Sequence, residues 1–248
     1  MPDGWQPFYD SILEEFGYDR EQDRRSARLL DDMIAGPDMY DLVCEEIRGR
    51  LVFVVGAGPS LDRSMRCIAR HRARAIVIAA DTAVKPLMQA RLAPDVIFTD
   101  LDGDLDSQIT ASRMGAAVVV HAHGDNQNVL HHSVEFPVCV GTTQAEPVGR
   151  IRNFGGFTDG DRAAFFAAHC GARMIVLFGM EFGRKIGKHS ETPHNERTTK
   201  LLKLKKGEEL LEWLAGRSTC QIFTMSGRFR GIQNISCDSI AGLAGYIR

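Results

Sequence analysis

From Leu51 to Met225 the chain repeats one pattern, a short apolar run rich in β-branched residues followed by a stretch of helical length. The runs are Leu51 to Val55, Ala75 to Ala80, Asp95 to Thr99, Ala116 to His121, Val138 to Val140, Arg173 to Phe178 and Gln221 to Met225. Runs without polar alternation suit strands of a parallel sheet covered on both faces. Segments 60–71, 82–92 and 105–114 have the length of crossover helices, and another helix starts near Asp159. Residues 196–215 set Leu201, Leu204, Leu211 and Leu214 along one side, widened by Leu202, Leu210 and Trp213. This alternation predicts an α/β fold, a Rossmann-like, doubly wound and mostly parallel sheet.

The first 48 residues read differently, with Ile12, Leu13 and Phe16, then Leu29, Leu30, Met33 and Ile34, at three- and four-residue spacing among charges. Gly36-Pro37 interrupts them, and a short helix from about Met39 to Ile47 leads to Gly49. The expected organisation is an N-terminal helical region over 1–48, the α/β domain over 49–225, and a C-terminal segment over 226–248 packing on it. The second half carries many glycines, at 155, 156, 160, 179, 183 and 187, which marks its loops as functional or mobile.

Composition narrows the function. Among 248 residues, 44% are hydrophobic and 25% charged, the usage of an ordinary globular protein. Lys plus Arg total 30 against 32 for Asp plus Glu, so a net charge of −2 provides no long-range attraction for nucleic acid or anionic membrane. No apolar run approaches the roughly 20 residues of a membrane span, and the N-terminus lacks a basic stretch followed by an apolar one. A cytoplasmic protein with small-molecule partners is expected, with no nucleic acid and no membrane, and with homo-oligomerisation left open. The six cysteines contain no C-x-x-C pair and read as buried free thiols.

In a parallel sheet, residues that end strands collect at one edge, where open α/β sheets bind ligands. Gly56-Ala57-Gly58-Pro59-Ser60-Leu61 follows the first strand and precedes a helix. Such a turn either cradles phosphate on its backbone N–H groups or binds nothing; Leu61 stands where a dinucleotide fingerprint has its third glycine, and no Walker lysine follows. Asp81 ends the second strand, and the third runs into Asp100-Leu101-Asp102-Gly103-Asp104. Carboxylates converging from two strands repel one another unless a cation neutralises them, and oxygen-only ligation favours Mg²⁺ held by Asp81, Asp100, Asp102 and Asp104. The competing use of Asp104 or Asp106 is as a helix N-cap.

His121-Ala122-His123-Gly124-Asp125-Asn126 ends the fourth strand. His121 and His123, two apart on extended chain, face one side; contact with phosphate or substrate, helix capping by Asp125 or Asn126, and transition-metal ligation are all compatible with that spacing. In the stretch 153–161, Phe157 can stack on a flat heterocycle while Asn153, Asp159 and Asp161 read its hydrogen-bonding edge, or the aromatics are core and Thr158 or Asp159 caps a helix. Arg184, Lys185, Lys188 and His189 form a basic loop able to close over phosphates, whereas Lys200, Lys203, Lys205 and Lys206 fit the polar face of a helix equally well.

Taken in order, Val55 to Leu61, Ala80-Asp81, Pro94 to Asp104 and His121 to Asn126 resemble the archaeal 6-hydroxymethyl-7,8-dihydropterin pyrophosphokinase family. The resemblance spans roughly residues 50–190 and extends more loosely toward the C-terminus through Phe157 to Arg162. Thiamine pyrophosphokinases share the Pro-Asp and Asp-x-Asp portions, but carry Gly-Asp-x-Asp-Ser where this chain has Thr99 to Gly103. Bacterial motility-associated proteins linked to flagellin glycosylation share the glycine turn and Asp motif within longer chains. The resemblance implies ATP as co-substrate, a hydroxymethyl pterin as acceptor, Mg²⁺ on Asp81, Asp100 and Asp102 as catalytic residues, and AMP as leaving group. The alternatives it leaves are a thiamine pyrophosphokinase and a non-catalytic nucleotide-binding or glycosylation-related protein.

Overall fold

The computed structural model describes residues 1–183, 185–190 and 192–245; Arg184 of the basic loop lies outside them. The strands form where the apolar runs stand: β1 (Leu51–Val55), β2 (Ala75–Ala80), β3 (Val96–Thr99), β4 (Ala117–Ala122), β5 (Cys139–Thr143), β6 (Met174–Phe178) and β7 (Gln221–Thr224). β5 extends beyond the predicted Val138 to Val140, because Gly141, Thr142 and Thr143 pair with Val120, His121 and Ala122 of β4. A two-residue edge strand, β8 (Gln233–Asn234), is polar and exposed, and no hydrophobic pattern marks it.

The helices are α1 (Gln6–Phe16), α2 (Arg20–Met33), α3 (Tyr40–Ile47), α4 (Leu61–His71), α5 (Val84–Gln89), α6 (Leu105–Arg113), α7 (Asp159–His169), α8 (Arg197–Ala215) and α9 (Cys237–Gly245). Every strand pairing is parallel, in the order β5-β4-β3-β2-β1-β6-β7-β8. The chain winds outward from β1 to β5, then returns to lay β6 on the other side of β1. The crevice between the ends of β1 and β6 is therefore the topological switch point, where doubly wound sheets hold ligands.

Successive residues of a strand point to opposite faces, so β1 feeds both cores at once. Val52 and Val54 join α1, α3, α7 and α8 on one face, and Leu51, Phe53 and Val55 join α2, α4, α5, α6 and α9 on the other. The N-terminal helices share these cores with the sheet: Trp5, Tyr9, Ile12, Leu30 and Ile47 are all buried. One buried carboxylate helps fasten them to the ligand-binding edge. Asp23 of α2 is buried and accepts from Tyr9 Oη (2.7 Å), Gln144 Nε2 (2.9 Å) and the Gly124 amide (2.8 Å).

The cysteines correct the expectation of free thiols. Cys44 and Cys170 are joined, as are Cys67 and Cys237, while Cys139 and Cys220 are free and buried. The partners lie 126 and 170 residues apart, and only packing of α3 against the end of α7, and of α4 against α9, brings them together. Among the described residues, no helix is long and apolar enough to cross a membrane.

Candidate active site

The carboxylates of Asp81, Asp100 and Asp102 converge at the strand ends, with ligand-capable oxygens all within 4.8 Å of one another. Asp81 leaves β2 and is buried; its two oxygens accept from Thr99 Oγ1 (2.6 Å) and Gln108 Nε2 (2.9 Å). Asp100 and Asp102 flank Leu101, which has φ +69°, a left-handed conformation that a branched residue adopts only when its surroundings hold it there. Its side chain is buried, and its amide is held by Thr99 Oγ1 at 2.8 Å. The same threonine hydroxyl thus fixes both arms of the cluster. Gly103 follows without a side chain because a Cβ there would stand 2.6 Å from Asp81 Cγ.

Three charges this close cannot all be accommodated without a cation. Burial and the charges of Asp100 and Asp102 push the Asp81 carboxyl up to about 8. Asp102, at the mouth of the cleft, is pushed up to about 7 by the surrounding protein and the Asp100 charge. Burial alone would raise Asp100 too, but the His123 ring, with Nε2 3.5 Å from Asp100 Oδ2, outweighs it and holds the carboxyl below the usual carboxylate range. Asp100 Oδ1 is buried and makes no hydrogen bond among the described residues. An oxygen-only donor set with an orphaned acceptor fits a hard divalent cation.

Asp104 does not join the cluster. It is the N-cap of α6, accepting from the Ser107 amide (3.0 Å), and it pairs with Lys85 Nζ at 2.7 Å. Capping competes for this residue because it sits one position before the helix begins, its side chain already committed to the orphan amides.

The histidine stretch divides in the same way. His121 lies within β4, buried and outside both clefts described below, and burial depresses its basicity so that the ring is neutral. His123 stacks near it, with ring centroids 5.7 Å apart, and abuts Asp100 as above. Asn126, open by position to nucleotide contact or to capping, takes the capping role and has its whole carboxamide engaged: Nδ2 donates to the carbonyls of Asp100 (2.8 Å) and His121 (2.7 Å), and Oδ1 accepts from the His123 amide (3.0 Å). It ties the end of β3 to the end of β4. Of this stretch, Asp125 borders a cleft.

The glycine turn is also corrected in its chemistry. Three of its amides are already taken, Gly56 by the Phe178 carbonyl (2.8 Å), Gly58 by the Gly179 carbonyl (2.8 Å) and Ser60 by Glu181 Oε2 (3.3 Å). The glycines are there for close approach of two backbones. A Cβ on Gly56 would stand 2.8 Å from the Gly179 carbonyl oxygen, and Gly179 itself has φ +61°. Pro59, Ser60 and Leu61 line neither cleft; Ser60 and Leu61 are fully buried.

Two clefts open at this edge. The first lies at the switch point, bounded by the turn Gly56 to Gly58 and by the loop from Gly179 to Gly187, with Lys185 on its wall. The second, about 800 Å³, contains the acid cluster and is walled at one end by Phe16, Tyr18 and Phe157, room enough for a ligand of drug size. The clefts share Thr82, Thr158, Asp159, Ser190 and Lys200, so one extended ligand can run from one into the other. Lys85, Lys188, Lys200 and Lys203 face the second cleft, Lys188 being held to Asp62 at 2.7 Å.

Of the four residues expected at the substrate, Asn153, Phe157, Asp159 and Asp161, Phe157 and Asp159 line the second cleft. Among the described residues Asp159 Oδ1 makes no hydrogen bond, with the Arg162 guanidinium at 3.7 Å, and burial together with the Asp100 charge raises its carboxyl well above the usual range. Asn153 and Asp161 are structural. Asn153 is buried and bridges the carbonyls of Gln144 and Ala145 to the Gly155 amide. Asp161 completes the capping box of α7 with Thr158 and the Phe157 amide, since a helix start leaves unpaired amides that a carboxylate three residues in can satisfy.

Residues that sequence reasoning missed are Phe16, Tyr18, Thr82, Lys85, Arg162 and Glu181. Phe16 and Tyr18 straddle Gly17, at φ +67°, which turns the chain out of α1 and presents both rings to Phe157. An aromatic pair across a helix-ending glycine was the available signal. For Glu181 it was an acid just after a strand, the same signal that marked Asp81.

The comparisons with known proteins bear on family and fold. The 6-hydroxymethylpterin diphosphokinase MptE-like family matches residues 25–187. Three archaeal relatives are named 6-hydroxymethyl-7,8-dihydropterin pyrophosphokinase. That of Pyrococcus furiosus is 44% identical, covering 90% of this chain and 97% of its own; that of Methanothermobacter thermautotrophicus is 39% identical, covering 85% and 93%. The Methanocaldococcus jannaschii protein is 35% identical, covering 85% and 94%. Among solved structures, the MAf glycosyltransferase from Magnetospirillum magneticum AMB-1 superposes with a TM-score of 0.59 at 16% identity, over 89% of this chain. The chain spans 39% of that protein, and the likeness is one of fold. By sequence over most of its length, with the Rossmann-like sheet to match, the chain belongs to the 6-hydroxymethylpterin diphosphokinase MptE-like family and is an enzyme of the transferase class.

Proposed function

We propose that the protein transfers a diphosphate from ATP to 6-hydroxymethyl-7,8-dihydropterin, giving the pterin diphosphate and AMP. The observation that carries this reading is the position of the acid cluster, in an aromatic-walled cleft that shares a wall with the cleft at the switch point. The nucleoside occupies the switch-point cleft, with the glycine turn as its floor. Its phosphates cross the shared wall toward the acid cluster and the lysines. Phe16, Tyr18 and Phe157 receive the flat pterin, and Asp159 and Arg162 lie within reach of its polar edge.

Asp81, Asp100 and Asp102 would hold Mg²⁺, which when bound neutralises phosphate charge. The chain's own residues do the positioning. Lys200 and Lys203 meet the negative charge of the phosphates, and the aromatic wall fixes the plane of the acceptor so that its hydroxymethyl oxygen points at the β-phosphorus. Attack there forms the new O–P bond and breaks the bond to the α-phosphate oxygen, releasing AMP. The hydroxyl proton leaves to a neighbouring carboxylate or to solvent.

One chromatographic assay tests the reading, with ATP, Mg²⁺ and either the hydroxymethyl pterin or thiamine as acceptor. AMP and pterin diphosphate are expected with the pterin alone. ADP as product, AMP only with thiamine, or no turnover with either acceptor would overturn it. Asp100→Asn should abolish AMP release while the far-UV spectrum stays native.

A further inference from the structure

Glu181 is a carboxylate in an unexpected place. It follows β6 across the switch point from the glycine turn and lines the first cleft. Gly58 has no side chain at the spot where Glu181 Oε2 comes in, and that oxygen accepts from the Ser60 amide at 3.3 Å. Among the described residues the other oxygen, Oε1, is buried, makes no hydrogen bond and pairs with Arg63, whose side chain is 77% exposed, at 3.5 Å.

A carboxylate is an acceptor on both oxygens and repels phosphate, so the part of the nucleotide that lies against Glu181 must offer donors. Adenine presents donors on one edge only, and the phosphates present none. The ribose presents two adjacent O–H groups, at a separation that the two oxygens of one carboxylate can accept together. We infer that Glu181 accepts the ribose hydroxyls of the nucleotide and selects a ribonucleotide over its 2′-deoxy counterpart, an inference that rests on the proposed use of ATP. The glycine turn then serves by its lack of side chains, admitting both the Glu181 carboxylate and the sugar to the crevice.

The test is the ratio of KM for dATP to KM for ATP, from AMP release at saturating pterin and Mg²⁺, in the wild type, Glu181→Ala and Glu181→Gln. A lost hydrogen bond to a charged acceptor corresponds to about 10- to 100-fold, so the wild-type ratio should fall in that range. In Glu181→Ala the ratio should collapse to near one through a raised KM for ATP, with kcat little changed. Glu181→Gln keeps the shape and an acceptor for Ser60, which guards against a folding loss, and its ratio should fall as well. A wild-type ratio near one, or an unchanged ratio in both variants, would overturn the inference. So would tighter use of both nucleotides by Glu181→Ala, which would make Glu181 an internal competitor of phosphate. No ATP-dependent AMP from the wild type would remove the donor assignment and this inference together, whereas the ratio outcomes remove the inference alone.

Discussion

Gly103→Ala adds one methyl group and alters no carboxylate, yet it should disable the acid cluster. The backbone at Gly103 carries no positive φ, so the substitution is unstrained in itself and its effect is steric. The new Cβ would overlap Asp81 Oδ1 and stand 2.6 Å from Cγ and 3.2 Å from Oδ2, where relaxed contacts between carbon atoms need about 3.5 Å or more. The Asp81 carboxylate must therefore retreat by about 1 Å. It cannot do so and keep both Thr99 Oγ1 at 2.6 Å and Gln108 Nε2 at 2.9 Å, since each is delivered from a different element. A buried polar group left unsatisfied costs about 1–3 kcal/mol, offset by roughly 0.4–1 kcal/mol from the reduced freedom of the unfolded chain. Net destabilisation of roughly 0–2.5 kcal/mol follows. Displacing a ligand whose support is lost should weaken cation binding by roughly 10- to 100-fold. Thermal melts with and without Mg²⁺, together with the Mg²⁺ dependence of turnover, measure both effects. Gly242→Ala, where an added Cβ meets nothing within 4 Å, is the control. A Gly103→Ala enzyme with wild-type stability and wild-type Mg²⁺ half-saturation would refute the packing argument.

The same cluster predicts a pH dependence. Burial and the charges of Asp100 and Asp102 push the folded Asp81 carboxyl up to about 8, so the folded state holds a proton that the unfolded chain has lost, and stability falls as pH rises from the usual carboxylate range toward 8. The depressed Asp100 contributes a constant amount above pH 4. Because Mg²⁺ replaces the proton, its effect on Tm should be larger at pH 8.5 than at pH 5.5, and equal shifts at both would contradict this. Tyr18→Ala should raise KM for the pterin by roughly 5- to 150-fold with KM for ATP unchanged, as loss of one stacking ring costs about 1–3 kcal/mol; a rise in KM for ATP alone would place the acceptor elsewhere. Reducing Cys44–Cys170, which closes a separation of 126 residues, should lower stability by roughly 5 kcal/mol on chain-entropy grounds. Comparison of Cys44→Ser and Cys170→Ser melts with the wild type in reductant checks it, and indistinguishable melts of oxidised and reduced protein would count against it.

The strands and their shared edge were legible in the sequence because burial on both faces leaves a mark that no other arrangement leaves, a β-branched run with no polar alternation. Val52 and Val54 cannot face one core while Phe53 and Val55 face another unless helices cover both sides. Asp81, Asp100 and Asp102 were legible for a related reason: topology sends the ends of parallel strands to one edge, so residues at those ends converge whatever the side chains between them.

The tertiary structure decided what each donor and acceptor actually meets. The amides of Gly56, Gly58 and Ser60 looked free to bind an anion until the end of β6 and the loop after it, more than a hundred residues on, took all three. Asn126, Asn153 and Asp161 carry the same atoms as substrate-reading residues, and nothing local says that neighbouring backbone will use those atoms first. The aromatic wall needed Phe16 and Tyr18 from a segment outside the strand–helix alternation, brought in by the core that α1 shares with α7 and α8. Local patterns report how a residue is buried, because burial acts on one side chain at a time. Hydrogen-bond partners and cleft walls are pairwise, and the second member of each pair is chosen only when the sheet has been assembled.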